Sequence, residues 1–410
     1  FDTSSITTEG NDNDENSFIY FPYLIQLIQS SNNIKNITFL GELPSNINDF
    51  FTNLCKKRPN SLSTLSFKNC SLNQNLLKIL KSSFISCIRL HNCTFDSNQS
   101  FYDFLQAKKL NLLKIKNSPE IEYLTNLNTF TNISVLSLCK CNIEISEFFS
   151  SLSNECRIQY LYLTGNKCEK EISNVIQIPQ FDEIRLDHIT WGGYFLSYLQ
   201  LLLKTQTFID VSHAIMNYDE WNNVFNYMNT NSNEACQLCK LLWNGNQVSK
   251  FFFSYLRKCC IHLDSLQVID TIDQTTEKDV LNDFTSLLKE GSKLACLSIG
   301  FSSQSSRSIT GSQLKSILSA LLSNMKQNNT KSFYFSVINT QSGDEGAEQL
   351  TSMFSNQKVC KVNFINFDGL RPKSYKKYNE LSSSIMKYLS KASKNSGQEC
   401  LIEYPKNDLK

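Results

Sequence analysis

The chain has 410 residues, of which 41% are apolar and 19% charged, and a formal net charge of +2. It is too apolar for a disordered polymer, and its charge is too balanced for a whole-molecule field towards nucleic acid or an anionic membrane. No apolar run approaches the ~20 residues that span a bilayer; the longest, "YFLSYLQLLL" (194–203), reads as a buried helix.

In chain order, residues 1–17, "FDTSSITTEGNDNDENS", are polar and acidic, the composition of a disordered lead-in. The first residue is Phe1 rather than Met, so the true N-terminus is expected upstream. "FIYFPYLIQLIQSS" (18–31) then predicts an apolar helix capping the core, within a cap region 18–33.

From Ile34 onward one frame recurs, L-x-x-L-x-L-x-x-N/C-x-L. Its copies start at Ile34, Leu62, Ile85, Leu110, Ile133, Ile158, Phe181, Gln206, Leu238, Leu263, Leu294, Thr330 and Val359, with steps of 23 to 36 residues. Copies at 62, 85, 133, 158 and 238 are nearly complete; those at 34, 206, 330 and 359 are degenerate. Frame positions 4 and 6 point to one side of a short strand, so positions 5 and 7 point to the other. Position 9 is a turn, where a side-chain amide can bond backbone groups left unpaired. Asn166 and Asn246 stand there, and Cys70, Cys93 and Cys141 are the small, weakly polar substitutes. One coil buries roughly four apolar side chains at ~1.5–3 kcal/mol each, too little to offset chain entropy alone. Stacked coils share a core.

Between strands the pattern is helical. Residues 219–229 place Trp221, Val224, Phe225 and Met228 at i, i+3, i+4, i+7, as residues 312–325 do with Leu314, Ile317, Leu318 and Leu321. Residues 280–291 put Leu281, Phe284, Leu287 and Leu288 at i, i+3, i+6, i+7 and end in Gly291, a helix stop. The shorter steps, 23–25 residues, leave room for a turn or two of helix. Over 371–410, a basic turn "RPKSYKKY" (371–378) precedes a stripe of Leu381, Ile385 and Leu389, which reads as a closing cap helix and tail.

No catalytic constellation emerges. GxGxxG, Walker-type and HExxH motifs are absent, and His91, His188, His213 and His262 fall on different coils. The 15 cysteines are scattered and odd in number, which reads as reduced packing thiols rather than a disulfide scaffold. "CQLC" (236–239) and Cys259–Cys260 resemble a zinc set only superficially, because Cys239 belongs to a strand face and the other two end a helix. No enzyme activity, metal or cofactor is expected.

The outward positions carry the functional signal. They gather Lys68, Arg89, His91, Lys114 and Lys116 on adjacent coils, then Arg185, Asp187 and Asp210, with Tyr160, Tyr162, Phe301 and Tyr334 as aromatic anchors. Like charges on strands ~4.8 Å apart repel by roughly 1 kcal/mol even in water. Two readings stand: a patch for a protein partner with an acidic surface, or a solvated face whose long side chains splay apart. The basic turn at 371–378 is too short for nucleic-acid recognition.

Over 34–370 these repeats resemble leucine-rich-repeat proteins, and the helical segments resemble the ribonuclease-inhibitor-like type, which includes CARMIL-type cytoskeletal scaffolds and Ran GTPase-activating proteins. The resemblance implies an α/β solenoid, a horseshoe of about 13 repeats with a parallel concave sheet and convex helices. It implies a non-catalytic, cytoplasmic scaffold binding a partner on its concave face; the alternative is an enzyme regulator of the GTPase-activating or inhibitor kind. Arg371-Pro372-Lys373 with Lys376-Lys377 is similar to the segment by which CARMIL-type proteins bind actin capping protein, which implies a cytoskeletal association. Phe364, Asn366 and Asp368 depart from that segment's upstream pattern.

Overall fold

The computed structural model describes residues 5–9, 21–31, 33–59, 61–119, 133–152, 156–171, 178–231, 236–273, 277–290, 294–300, 309–327, 332–338, 361–366 and 401–403, with positions 348, 351, 379, 380 and 383. The chain forms two compact units, Phe1–Tyr198 and Leu199–Lys410.

In the first unit the chain runs β1 (Ser5–Glu9), α1 (Phe21–Ser30), β2 (Asn36–Leu40), α2 (Ile47–Lys57), β3 (Thr64–Lys68), β4 (Ser71–Leu72), α3 (Gln74–Ser82), β5 (Cys87–His91), β6 (Thr94–Phe95), α4 (Asn98–Ala107), β7 (Leu110–Lys116), β8 (Ile133–Cys139), α5 (Ile145–Ser151), β9 (Tyr160–Tyr162) and β10 (Glu183–Arg185). All neighbours in the order β1-β2-β3-β5-β7-β8-β9-β10 are parallel. Strands β4 and β6 pair separately.

Frame positions 4 and 6 make the core. Ile37, Phe39, Leu65, Phe67, Ile88, Leu90, Leu136 and Leu138 are all buried. Helix residues at i, i+3 and i+4 spacing close over them: Phe51 of α2 lies 5.4 Å from the Phe39 ring, which stacks on Phe67. The helices therefore cover one side of the sheet. Helices α3 and α4, of 9 and 10 residues, are longer than the turn or two their short steps suggest, since they start two and three residues after the ends of β4 and β6. Asn73 caps α3 by accepting from Leu76 N–H at 2.8 Å.

After β2, β3, β5, β7, β8, β9 and β10 the backbone turns through a left-handed residue at frame position 8. Gly41, Asn69, Asn92, Asn117, Lys140, Gly165 and His188 all have φ between 52° and 78°. The first six donate their N–H to the carbonyl at position 7 of the next coil, at 2.9–3.0 Å. This clamp explains the residue choice: glycine and asparagine tolerate the left-handed region best. At Gly165 a Cβ would also come within 2.8 Å of Lys140 Cγ.

Position 9 ties coils together from inside, as the frame predicts. Cys70 Sγ donates to Phe39 O, Cys93 Sγ to Phe67 O and Cys141 Sγ to Ile115 O. Asn166 Nδ2 donates to Leu138 O and Leu163 O, while its Oδ1 accepts from Cys141 N–H and Ile143 N–H. Ser118 takes this position in the coil that starts at Leu110, accepting from Cys93 N–H at 3.1 Å.

The unit boundary falls within α6 (Phe195–Thr205), the helix expected over 194–203. The second unit continues with β11 (Phe208–Asp210), α7 (Tyr218–Thr230), β12 (Lys240–Leu242), β13 (Gln247–Val248), α8 (Lys250–Cys259), β14 (Ser265–Ile269), β15 (Ile272–Asp273), α9 (Glu277–Glu290), β16 (Cys296–Gly300), α10 (Gly311–Gln327), β17 (Ser332–Ile338), β18 (Lys361–Asn366) and β19 (Leu401–Glu403). Neighbours in the order β11-β12-β14-β16-β17-β18-β19 are parallel. Helix α7 buries Trp221, Val224, Phe225 and Met228 as its period predicts, and a capping box of Asn217 and Glu220 starts it. Helix α10 buries Leu314, Ile317, Leu318 and Leu321. The same left-handed clamp recurs at His213, Gly245 and Asp270.

Three expectations fail. The lead-in over 1–17 contains strand β1, which pairs in parallel with β2, so α1 is not the outermost element of the unit. Past the frame, β19 pairs with β18. The copies at Thr330 and Val359 are also misplaced. Tyr334 pairs with Cys296 instead of Ser298, and a bulge at Phe333/Tyr334 displaces β18 further. A period-2 pattern such as "SFYFSVI" is unchanged by a slip of two residues, so alternation alone cannot select its register. Among the described residues no helix is long and apolar enough to cross a membrane.

Candidate protein-binding face

In the first unit the side of the sheet away from the helices presents the outward positions in rows. One row runs Thr38, Ser66, Arg89, Lys114, Ser137, Tyr162, Arg185. Beside it runs Leu40, Lys68, His91, Lys116, Cys139. The register thus brings Lys68, Arg89, His91, Lys114 and Lys116 together. Lys68, Arg89, Lys114 and Lys116 are exposed and His91 is half-buried. Among the described residues none of the four exposed cations has an acidic partner within ion-pair reach. Lys140, exposed at the left-handed position after β8, lies beyond the strand end with its side chain against Gly165 of the next coil. Counting only positions 5 and 7 passes over it.

The left-handed asparagines border this patch. Asn92 Nδ2 donates to Asn69 Oδ1 at 2.9 Å, and the Asn117 amide lies 3.2 Å from His91 Nε2. They add polarity and no charge.

Over β9 and β10 the chemistry differs. Tyr160 pairs with Glu183, and Tyr162 with Arg185. The Arg185 guanidinium sits 5.2 Å from the Tyr162 ring centre, and its Nε donates to Glu183 Oε1. Burial raises the Tyr162 hydroxyl pKa, and the Glu183 charge adds to the rise. Asp187 accepts from Thr164 Oγ1 at 2.6 Å and lies 3.0 Å from His188 Nδ1. Arg185 and Asp187 are therefore already engaged within the protein. Glu183 occupies position 3, like Tyr160 beside it, and strand alternation puts positions 3, 5 and 7 on one side.

Asp210 belongs to the second unit and is a correction. It is only 5% exposed, and its Oδ1 accepts from Ser212 N–H at 3.0 Å, so its carboxylate braces its own turn instead of facing solvent. Phe301 and the basic turn at 371–378 lie outside the described residues, as does the Tyr334 side chain.

Cys259 and Cys260 end α8, as expected, and Cys236 Sγ lies 3.3 Å from the Tyr255 hydroxyl. Among the described residues no group of three or more His, Cys, Asp or Glu is placed to hold a metal ion. Burial pushes Cys141 and Cys168 up to about 12. Both are expected to resist alkylation by iodoacetamide in the folded protein at pH 8 and to react fully once unfolded. Peptide mapping checks this; rapid native labelling of Cys141 would contradict its packed role.

No protein-family model and no curated protein matches the chain. Among solved structures it is similar to a chain from the Toll–Spatzle complex, described as a molecular hub in Drosophila development and innate immunity, with 9% identity and a TM-score of 0.37. The match covers 90% of this chain and 44% of that one, so this chain spans less than half of its neighbour's length.

Proposed function

We propose that the chain is a non-catalytic protein-interaction scaffold that docks a protein partner with an acidic surface on the helix-free face of its first unit. One observation carries this reading: the register that gathers Lys68, Arg89, His91, Lys114 and Lys116 from adjacent strands, with no acidic side chain among them. Holding cations this close costs roughly 1 kcal/mol per neighbouring pair in water, and a partner's carboxylates would relieve that repulsion. Charge complementarity of this kind speeds encounter and fixes orientation. Tyr160, Tyr162, Arg185 and Asp187 form the continuation of the docking surface.

The finer reading is a horseshoe of about 13 ribonuclease-inhibitor-like repeats with the sheet on its concave side. The helices of 9 to 11 residues in α2, α3 and α4 support it. A cytoplasmic setting is supported by the thiols at position 9, which work as hydrogen-bond donors only while reduced. A cytoskeletal association rests on the likeness at 371–377 alone. The alternative, a regulator of a GTPase or a hydrolase, would use the same passive face.

The test is capture from cells at low salt, with the wild type and Arg89→Glu/Lys114→Glu as baits. Both positions are exposed, so stability should be unchanged. Recovery of the specific partner is expected to fall at least about tenfold, or ~1.4 kcal/mol. Cytoskeletal subunits among the lost proteins favour the scaffold; a GTPase or hydrolase favours the regulator. An unchanged set of captured proteins would overturn the reading.

A further inference from the structure

The helix-free face of the first unit changes chemistry along its length, and the order of that change restricts what can lie on it. Over β3, β5 and β7 it is basic, with Lys68, Arg89, Lys114 and Lys116 exposed. Over the strand β8 itself it is low and uncharged: Ser137 is 5% exposed, and its Oγ lies 3.2 Å from Cys139 Sγ, while the exposed cation of this coil, Lys140, stands beyond the strand end against Gly165. Over β9 and β10 it becomes aromatic and acidic. There Glu183 and Asp187 oppose the single guanidinium of Arg185, which Glu183 already neutralises and Tyr162 covers. The coils thus form a basic block, a neutral saddle and an aromatic–acidic block, in that order.

From β3 to β10 there are five strand-to-strand steps of ~4.8 Å, or roughly 24 Å, which an extended peptide covers in about seven residues at ~3.4 Å each. One short segment can therefore touch both blocks at once. A uniformly acidic segment would place its far end against Glu183 and Asp187, where like charge repels. A segment of alternating charge would set cations against Lys114 and anions against Asp187.

We infer that the partner presents a single extended segment of polarised charge, with acidic residues over β3, β5 and β7, and aromatic and cationic residues over β9 and β10. The cationic end takes the Tyr160 face together with the Asp187 carboxylate, the acid of this block that Arg185 leaves uncompensated, a combination of cation–π and ion-pair contacts. This rests on the reading that the basic patch docks an acidic partner, and deepens it by stating the order of charges.

Fluorescently labelled peptides, three of one composition and different order with one acidic control, test the inference with the full chain in an anisotropy titration. The probes are EEEESGKFK, its reversal KFKGSEEEE, the alternating isomer EKESEFEKG and an acidic control, EEEESGSGS. One of the two polarised peptides should bind at least tenfold tighter than both the alternating isomer and the acidic control. That advantage should disappear in Glu183→Gln/Asp187→Asn, a near-isosteric pair that leaves the basic block intact. If the acidic control binds in a salt-sensitive way that needs Arg89 and Lys114, but neither polarised peptide surpasses the alternating isomer, the charge order is refuted and the docking reading survives. If neither the acidic control nor any other probe binds, both are refuted.

Discussion

Replacing Asn166 with leucine is expected to cost about 3–5 kcal/mol of stability, from a side chain that leaves the fold's apolar surface almost unchanged. Asn166 is 4% exposed. Its amide donates to two carbonyls, Leu138 O at 2.6 Å and Leu163 O at 2.7 Å, and accepts from the N–H groups of Cys141 at 3.0 Å and Ile143 at 3.1 Å. Leucine serves none of the four. Each buried backbone group left unpaired costs about 1–3 kcal/mol, and partial relaxation keeps the total below the simple sum. Asn166→Cys should lose roughly half as much, about 2 kcal/mol, because a thiol can still serve carbonyls, as Cys70 and Cys93 do. Urea denaturation followed by far-ultraviolet circular dichroism checks both. Equal losses for Leu and Cys would mean that the carbonyl contacts contribute nothing.

In the second unit the largest effect is expected at Trp243. The indole is wholly buried, edge-on to Trp221 at 5.7 Å and 4.6 Å from the Phe252 ring. Its Nε1–H donates to Gln247 O at 2.8 Å, holding the turn that follows β12. Trp243→Ala should cost about 3–5 kcal/mol, combining lost burial with a cavity that the neighbouring rings cannot fill. Trp243→Phe keeps most of the volume and should cost about 1–2 kcal/mol, mainly the orphaned carbonyl. The same denaturation measurement distinguishes them. An alanine variant no weaker than the phenylalanine one would show that the site collapses freely.

Much of this architecture was readable because the repeat reports on itself. Frame copies at Ile34, Leu62, Ile85, Leu110, Ile133 and Ile158 align outward residues in the register observed, as do those at Leu238, Leu263 and Leu294 in the second unit. Strand β1 escaped notice because "SITTE" is polar and sits in an acidic stretch, and an edge strand has only one neighbour to favour it. The slip at β17 has a different origin: parity survives a shift of two residues, and only the pairing partner decides.

For the candidate face, the basic rows followed from spacing alone. Their neighbours did not. Glu183 and Lys140 stand at positions 3 and 8, where the left-handed column of Gly41, Asn69, Asn92, Asn117 and Gly165 offered an unread signal for the turn. The engagement of Arg185 by Glu183 and the burial of Asp210 depend on the atoms around them, which spacing cannot report.

The central geometric claim is that residues one coil apart stand side by side on one face, with the helices behind. Cysteine pairs and a short bismaleimide, with cross-links assigned by peptide mapping, test it most directly. Arg89 pairs with Lys114 across β5 and β7, whereas Asp103 is exposed on α4, which belongs to the helical layer. Arg89→Cys/Lys114→Cys should cross-link rapidly in the folded chain and Arg89→Cys/Asp103→Cys should not. A cross-link at 89–103 with none at 89–114 would contradict the stacking of coils on which the binding face depends.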